Sequence, residues 1–446
     1  MAKDIDYEAL KYHSNGRPGK IEVVPTKEYK TAEELALAYS PGVAAPAKGI
    51  SKDRWNAYKY TNKGNLVAVI SNGSSLLGLG NRGALASKPV MEGKAMLFKV
   101  YADIDAFDIE IAEEEPEKFI EIVQAMAPTF GAINLEDIKA PECFYIEKRL
   151  RTLLGIPVMH DDQHGTAVAV AAALTNALYI AKKDIACTRI VISGAGAAAI
   201  STARILTKRG ATKENIIMFD SRGAITTRRN NLTAEKKEFA VENSVNTLSE
   251  ALQGADIFIG LSVGNILDGE SISKMADTPI IFALSNPTPE IDYNTALLSR
   301  PDAIVATGRS DYPNQINNVL AFPYLFRGAL DVLATTINDA MEQAAIDAIS
   351  ALARSSQQPN RRNERFGKEN IIPHPGDPRL IAEVSCAVAK AAIESGVARR
   401  NINDWKQYRR ELLIRKEREF KFGHQKREKG NRNNLRRRYS IPMHKL

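Results

Sequence analysis

The feature that most constrains this chain is a strand, a glycine turn and a helix in immediate succession near its middle. Arg189-Ile-Val-Ile-Ser193 is an apolar run of strand length, and Gly194-Ala195-Gly196-Ala197-Ala198-Ala199 follows it without a spacer. Two glycines at that spacing allow a tight turn and close backbone approach to a pyrophosphate, whose charge the following helix N-terminus stabilises. Asp220 ends the next apolar run and is placed to meet the adenosine ribose. Further strand-like runs at 215–219, 256–259, 279–284 and 303–306 alternate with helical segments. This predicts a doubly wound, Rossmann-like dinucleotide-binding domain over residues 164–405.

The preceding stretch also reads as α/β. Leu66-Val-Ala-Val-Ile70, Ala95-Met-Leu-Phe-Lys-Val100, Ala132-Ile-Asn-Leu135 and Ile156-Pro-Val-Met159 are strand-like, with helices near 115–128 and 142–154 and a small-residue helix over 165–183. Thr31-Ala-Glu-Glu34 reads as a capping box opening a helix that Ser40-Pro41-Gly42 stops, which leaves Tyr39 at the helix end. Residues 1–163 are therefore assigned to an open α/β domain, which the acidic pairs and the family resemblance described below make the substrate and metal domain. At 446 residues the chain exceeds what one core usually organises, in keeping with this division.

A second glycine pattern, Gly78-Leu-Gly80-Asn-Arg-Gly83, competes on spacing, with Asp103 and Asp105 following. Seven residues, Ser71 to Leu77, separate it from its strand, whereas a dinucleotide turn begins where the strand ends. It is read as a substrate-domain loop, with Arg82 a solvated arginine.

Glu136-Asp137 and Asp161-Asp162 follow two of the predicted strands. Parallel strands would bring both pairs to one carboxyl edge, where ligands bind. Crowded carboxylates repel one another unless a cation intervenes, and all-oxygen ligation suits Mg²⁺ or Mn²⁺. Spacing alone leaves solvated turn carboxylates equally open. His160 and His164 flank these acids and are read as supporting or packing residues rather than ligands.

Charge is unevenly spread. From Arg399 to the end, 17 Lys and Arg face 5 Asp and Glu, so this end carries +12 of a chain whose total is +7, and the rest is net −5. Residues 406–446 are expected to form a basic tail outside any packed domain. Binding of nucleic acid or an anionic surface through that tail is the rival function. Against it, the tail lacks interleaved aromatic repeats. The N-terminal residues have no apolar leader pattern, and no window of about 18 uninterrupted apolar residues follows, so a cytoplasmic protein without membrane association is expected. Cys143, Cys187 and Cys386 lie far apart, as reduced thiols do.

Taken together, Ala38-Tyr-Ser-Pro-Gly-Val43, Pro89-Val-Met-Glu-Gly-Lys94, Leu135-Glu-Asp-Ile-Lys139, His160-Asp-Asp-Gln-His-Gly165, Gly194-Ala-Gly196, Ser285-Asn-Pro287 and Asn317-Asn318 resemble the malic enzyme family, in particular its compact bacterial NADP-dependent branch. Longer members of that branch append a phosphate acetyltransferase-like domain. The resemblance implies oxidative decarboxylation of L-malate to pyruvate and CO₂, through oxaloacetate and enolpyruvate, with NADP or NAD reduced. It matches Tyr39 to the general acid, Lys94 to the general base, and Glu136, Asp137 and Asp162 to the ligands of Mg²⁺ or Mn²⁺. It also matches the turn Gly194, Ala195, Gly196, Ala197 and Ala198, together with Asp220, Asn286 and Asn318, to positions at cofactor or substrate. Lys94 is expected below its solution pKa, through a nearby cation and partial burial. Asp220 favours NAD while Arg222 could pair with a 2′-phosphate; the resemblance of Asp220-Ser-Arg-Gly223 to compact NADP-using relatives implies NADP. A homo-oligomer is implied, and a 2-hydroxy-acid dehydrogenase that does not decarboxylate is the alternative enzyme.

Overall fold

The computed structural model describes residues 5–27, 30–76, 79–242, 245–355 and 365–415. Within them the chain is α/β, built on two sheets. The first has four parallel strands in the order β2-β1-β3-β4, formed by Leu66–Ser71 (β1), Asp105–Glu110 (β2), Ala132–Leu135 (β3) and Val158–His160 (β4). β1 and β3 are buried along their whole lengths, which is why they read as continuous apolar runs. β2 is half-exposed and carries Asp105, Asp108 and Glu110; its charges hid it from a search for apolar runs.

The second sheet has the order β10-β9-β8-β5-β6-β7, with Ile190–Ser193 (β5), Ile216–Asp220 (β6), Gly223–Ala224 (β7), Ile257–Gly260 (β8), Ile280–Ala283 (β9) and Ile304–Thr307 (β10). All are parallel except the short β7. The chain leaves β5 to one side through β6 and returns to its other side through β8, so the crevice at the carboxyl end of β5 is the topological switch point.

Helix Asp161–Ala181 joins the two units, running from the end of β4 toward β5. Its alanines let helices Ala197–Lys208 and Asp339–Arg354 approach closely. By length and composition it could cross a membrane, yet 67% of its most apolar window is buried and it serves as the central core helix.

Three expectations need correction or extension. Ala95–Val100 is not a strand but the end of helix Ala84–Ala102. Met91, Ala95, Phe98 and Ala102 are buried and recur every three or four residues, a helical period that a six-residue window cannot show. Phe98 stacks edge-on against Phe322 and Phe326 of helix Phe322–Asp331, with centroids 4.8 and 5.2 Å apart, so this helix also ties the two units together. Aromatic pairs of this kind contribute about 0.5–1.5 kcal/mol beyond burial. Second, the tail expected outside the body from residue 406 begins packed. Residues 405–415 are helical, Tyr408 and Leu412 are buried, and the Tyr408 hydroxyl donates to Asp331 at 2.8 Å. Trp405, Tyr408 and Leu412 form one apolar stripe among the charges; residues 416–446 lie outside the described residues. Third, the connecting helix begins at Asp161 rather than near Gly165, which puts the acidic pair in its first turn.

Candidate active site

Residues following β3 and β4 meet at the carboxyl edge of the first sheet. Glu136 N–H donates to Ile70 O at 2.9 Å, extending the ladder one residue past β3. Asp137 then turns with φ at +53° and donates its N–H to Asp162 Oδ2 at 2.8 Å, joining the two acidic pairs. The loop after β1, read from sequence as a substrate-domain loop, leans on the same place: Ser75 N–H donates to Asp137 O and Lys139 N–H to Ser74 Oγ, each at 3.0 Å. Gly78 of that loop lies outside the described residues. Asp105 belongs to β2, where Asn65 and Lys99 engage it.

Lys94 projects into this cluster from helix Ala84–Ala102 and is only 6% exposed. Its Nζ lies 2.5 Å from Asp161 Oδ2, 3.0 Å from Glu136 Oε1 and 4.3 Å from the centre of the Phe322 ring. Asn134 donates to Glu136 Oε2 at 2.8 Å and Asn318 to Asp161 Oδ2 at 2.5 Å. Asn318, grouped from sequence with the cofactor-binding residues, thus faces the acid cluster. Asp161, already one of the clustered acids in the sequence but given no role by the family match, holds the lysine.

The electrostatics follow from four carboxylates around one cation. Burial raises the pKa of Glu136, with Lys94 opposing and Asp162, Asp161 and Asp137 adding to the rise. Burial likewise raises Asp161. Burial would lower Lys94, but Asp161, Glu136 and Asp162 outweigh it and hold the ammonium charged above its ordinary value. The lowering expected for Lys94 presupposes a nearby cation; among these side chains alone, the facing carboxylates set its state.

Does the donor set suit a divalent metal? Asp162, Asp161 and Asp137 each add to the rise of buried Glu136, the mutual repulsion that hard oxygen ligands show before a cation joins them. By this chemistry the residues fit Mg²⁺ or Mn²⁺. Their present rotamers do not assemble a coordination group: among the described residues no three of His, Cys, Asp or Glu are gathered to hold an ion. Glu136 is turned onto Lys94 and Asn134, and Asp162 onto the Asp137 N–H.

Behind the cluster, His164 bridges the units. Its Nε2 meets Glu147 at 2.9 Å and its Nδ1 meets Glu342 at 2.7 Å. Burial would lower its pKa, but the two glutamates push it up to about 10. Glu147 also accepts the His160 N–H at 3.1 Å, fixing the backbone that leads into Asp161.

Tyr39 is elsewhere. The capping box at Thr31 and Glu34 forms, and Tyr39 ends helix Ala32–Ala38, its N–H on Leu35 O at 2.9 Å. Its side chain is 72% exposed beside exposed Leu35, Leu37 and Val43. Among the described residues no hydrogen bond or ring contact joins it to Lys94 or the acids.

On the second sheet, Gly194 takes φ +116°, open to glycine at little cost, and its N–H donates to Phe219 O at 2.9 Å. Gly194, Ala195 and Gly196 line a cleft of about 700 Å³ together with Asp220 and Lys236, and with Phe144 from the first unit. Ala197 and Ala198 open the helix behind the turn, and Asn286 sits just past β9, its amide on Leu284 O at 3.4 Å. Asp220 receives a two-pronged pair from Arg229 at 2.8 and 2.9 Å and a third contact from Lys236 at 2.8 Å. Burial would raise its pKa, but these cations hold it well below the usual carboxylate range. The sequence pointed to Arg222, which is exposed and meets Asp220 only through its backbone N–H at 2.9 Å.

Comparison with known proteins agrees with both halves of this arrangement. Residues 163–396 match the malic enzyme NAD binding domain, and residues 18–115 and 112–151 the malic enzyme N-terminal domain. An NADP-dependent malic enzyme of Rhizobium meliloti (strain 1021) is 54% identical over 419 residues, 92% of this chain and 55% of that protein. One from Halomonas elongata is 54% identical over 88% of this chain and 94% of its own length. The malic enzyme of Pyrococcus horikoshii Ot3 superposes with a TM-score of 0.88 at 45% identity, covering 95% of this chain and 99% of that one. This chain spans about half the length of the first of these relatives and nearly all of the other two.

Proposed function

Because this chain belongs to the malic enzyme family, we propose that it oxidises and decarboxylates L-malate to pyruvate and CO₂, reducing NADP⁺ in preference to NAD⁺. The observation that carries the reading is the buried Lys94, held between Asp161 and Glu136 at the edge of the first sheet, while Ala140, Pro141 and Phe144 of the segment after Glu136 line the cleft. In this reading residues 1–163 hold malate, residues 164–405 hold the dinucleotide, and the dinucleotide supplies the hydride acceptor.

Lys94 Nζ takes the proton of the malate C2 hydroxyl as that carbon is oxidised. Asp161 aims the amine, Asn318 fixes Asp161, and the Phe322 ring keeps water from the far side. A divalent cation at Glu136, Asp137 and Asp162 would polarise the C2 oxygen, draw electron density during CO₂ loss and offset the carboxylate field that otherwise keeps Lys94 protonated. Tyr39 gives its hydroxyl proton to C3 of the product enol. Helices Ile5–Ser14, Ala32–Ala38 and Ala44–Lys52 bury none of their residues. Such a face needs cover, which supports a homo-oligomer in which Tyr39 is brought to the substrate.

NADP is favoured because Arg229 and Lys236 already neutralise Asp220, so its charge no longer repels a 2′-phosphate, and Lys236 lines the cleft. The test is initial rates with L-malate and either dinucleotide, with Mg²⁺ or Mn²⁺ and again after chelation by EDTA. NADP⁺ reduction that requires both malate and the cation supports the reading. Reduction that persists unchanged without divalent cation, or none with either dinucleotide, defeats it.

A further inference from the structure

Glu290 is fully buried beyond β9, and among the described residues it forms no ion pair. A buried carboxylate without a counter-ion is costly unless its oxygens are satisfied by hydrogen bonds. Here each oxygen accepts one backbone N–H: Oε1 from Ser262 at 3.1 Å, just after β8, and Oε2 from Ser285 at 3.0 Å, just after β9. The Glu290 carbonyl also accepts Ile266 N–H and Leu267 N–H, each at 3.0 Å. Ser262 Oγ in turn meets Ser193 Oγ at 2.8 Å, one residue before the Gly194 turn. The carboxylate thus joins the loops after β8 and β9 and, through Ser262, reaches the turn after β5. Ser193, Leu261, Ser262, Val263 and Ile266 of these segments line the dinucleotide cleft. Gly260 completes the arrangement. A Cβ there would run into the Glu290 carboxyl group, 2.5 and 2.6 Å from its oxygens, so the carboxylate fits only beside a glycine.

We infer that Glu290 is the positioning residue of the dinucleotide cleft, setting the spacing of the loops that contact the cofactor without touching it. The inference rests on the reading of that cleft as a dinucleotide site. Both N–H groups need an acceptor, so glutamine is not a neutral replacement: its NH₂ would face one of them, donor against donor.

The test compares Glu290→Gln, Gly260→Ala and the double variant with the wild-type chain. It reads NADPH binding by fluorescence, the KM for NADP⁺, the KM for malate and the folded fraction by circular dichroism. Each single variant is expected to weaken NADPH binding and raise the NADP⁺ KM roughly tenfold, the scale of a lost hydrogen bond to a charged group. The malate KM should stay within about twofold, since uniform binding of the other substrate is untouched. The double variant should be no worse than the weaker single one, because both act on the same carboxylate. If Glu290→Gln does not fold, Gly260→Ala carries the test with Glu290 intact. Unchanged NADPH affinity and NADP⁺ KM in folded variants would overturn the inference, as would a fall in kcat alone. A wild-type chain that binds no dinucleotide would remove the reading beneath the inference, and the inference with it, by a different result.

Discussion

Lys94 and Tyr39, the two ends of the proposed proton path, sit in opposite surroundings. Lys94 is 6% exposed, fixed by two carboxylates and an aromatic ring, whereas Tyr39 is 72% exposed on a helix end with exposed leucines around it. On the proposed path, the group removing a proton is built into the junction of the two units, while the group returning one belongs to a surface that would need a partner before it could act.

The largest effect that would break this contrast belongs to the buried end. Lys94→Ala should lower malate oxidation by roughly 10²–10⁴-fold, the range for a positioned general base, in initial rates at saturating malate. Turnover near the wild-type level would remove Lys94 from the chemistry. At the exposed end, Tyr39→Phe should cost on the order of 10²-fold in pyruvate formation from added oxaloacetate, and less in malate oxidation. An equal loss in both would place Tyr39 outside the protonation step. The face itself is tested by Leu37→Glu, which sets a charge where a second copy is expected. Sedimentation should show association roughly tenfold weaker, and an unchanged mass would mean that another surface forms the oligomer.

The smallest effect sharpens the buried side. His164 has its pKa raised from 6.5 to about 10, so its contribution to stability is fully present below pH 6.5 and is lost as pH rises through about 10. Thermal midpoints should fall across that window in the wild type, and the fall should be shallower in His164→Gln. Parallel profiles would show that the imidazolium between Glu147 and Glu342 does not hold the units together.

What could be read beforehand was local. The turn at Gly194, the acid at Asp220 and the carboxylates after β3 and β4 were legible because strand, glycine and charge stand within a few residues of one another. Lys94 was named only through a family motif, since its helix presents a short apolar run that periodicity assigns equally well to a strand. The partners of Asp220 were missed because Arg229 and Lys236 reach it around a loop, and no spacing rule predicts which cation arrives. His164 and Glu342 are separated by most of the second unit, and only the packing of helix Asp339–Arg354 against the core helix brings them together. The exposure of Tyr39 had no signal at all: the motif that names it says nothing about what covers it.

The most direct measurement follows products from L-malate with NADP⁺ and Mn²⁺, quantifying NADPH, oxaloacetate and pyruvate for the wild type and Lys94→Ala. Oxidation and decarboxylation at one site predict NADPH and pyruvate in equal amounts from the wild type and neither from the variant. NADPH accompanied by intact oxaloacetate instead of pyruvate, or equal yields from both proteins, would contradict the account.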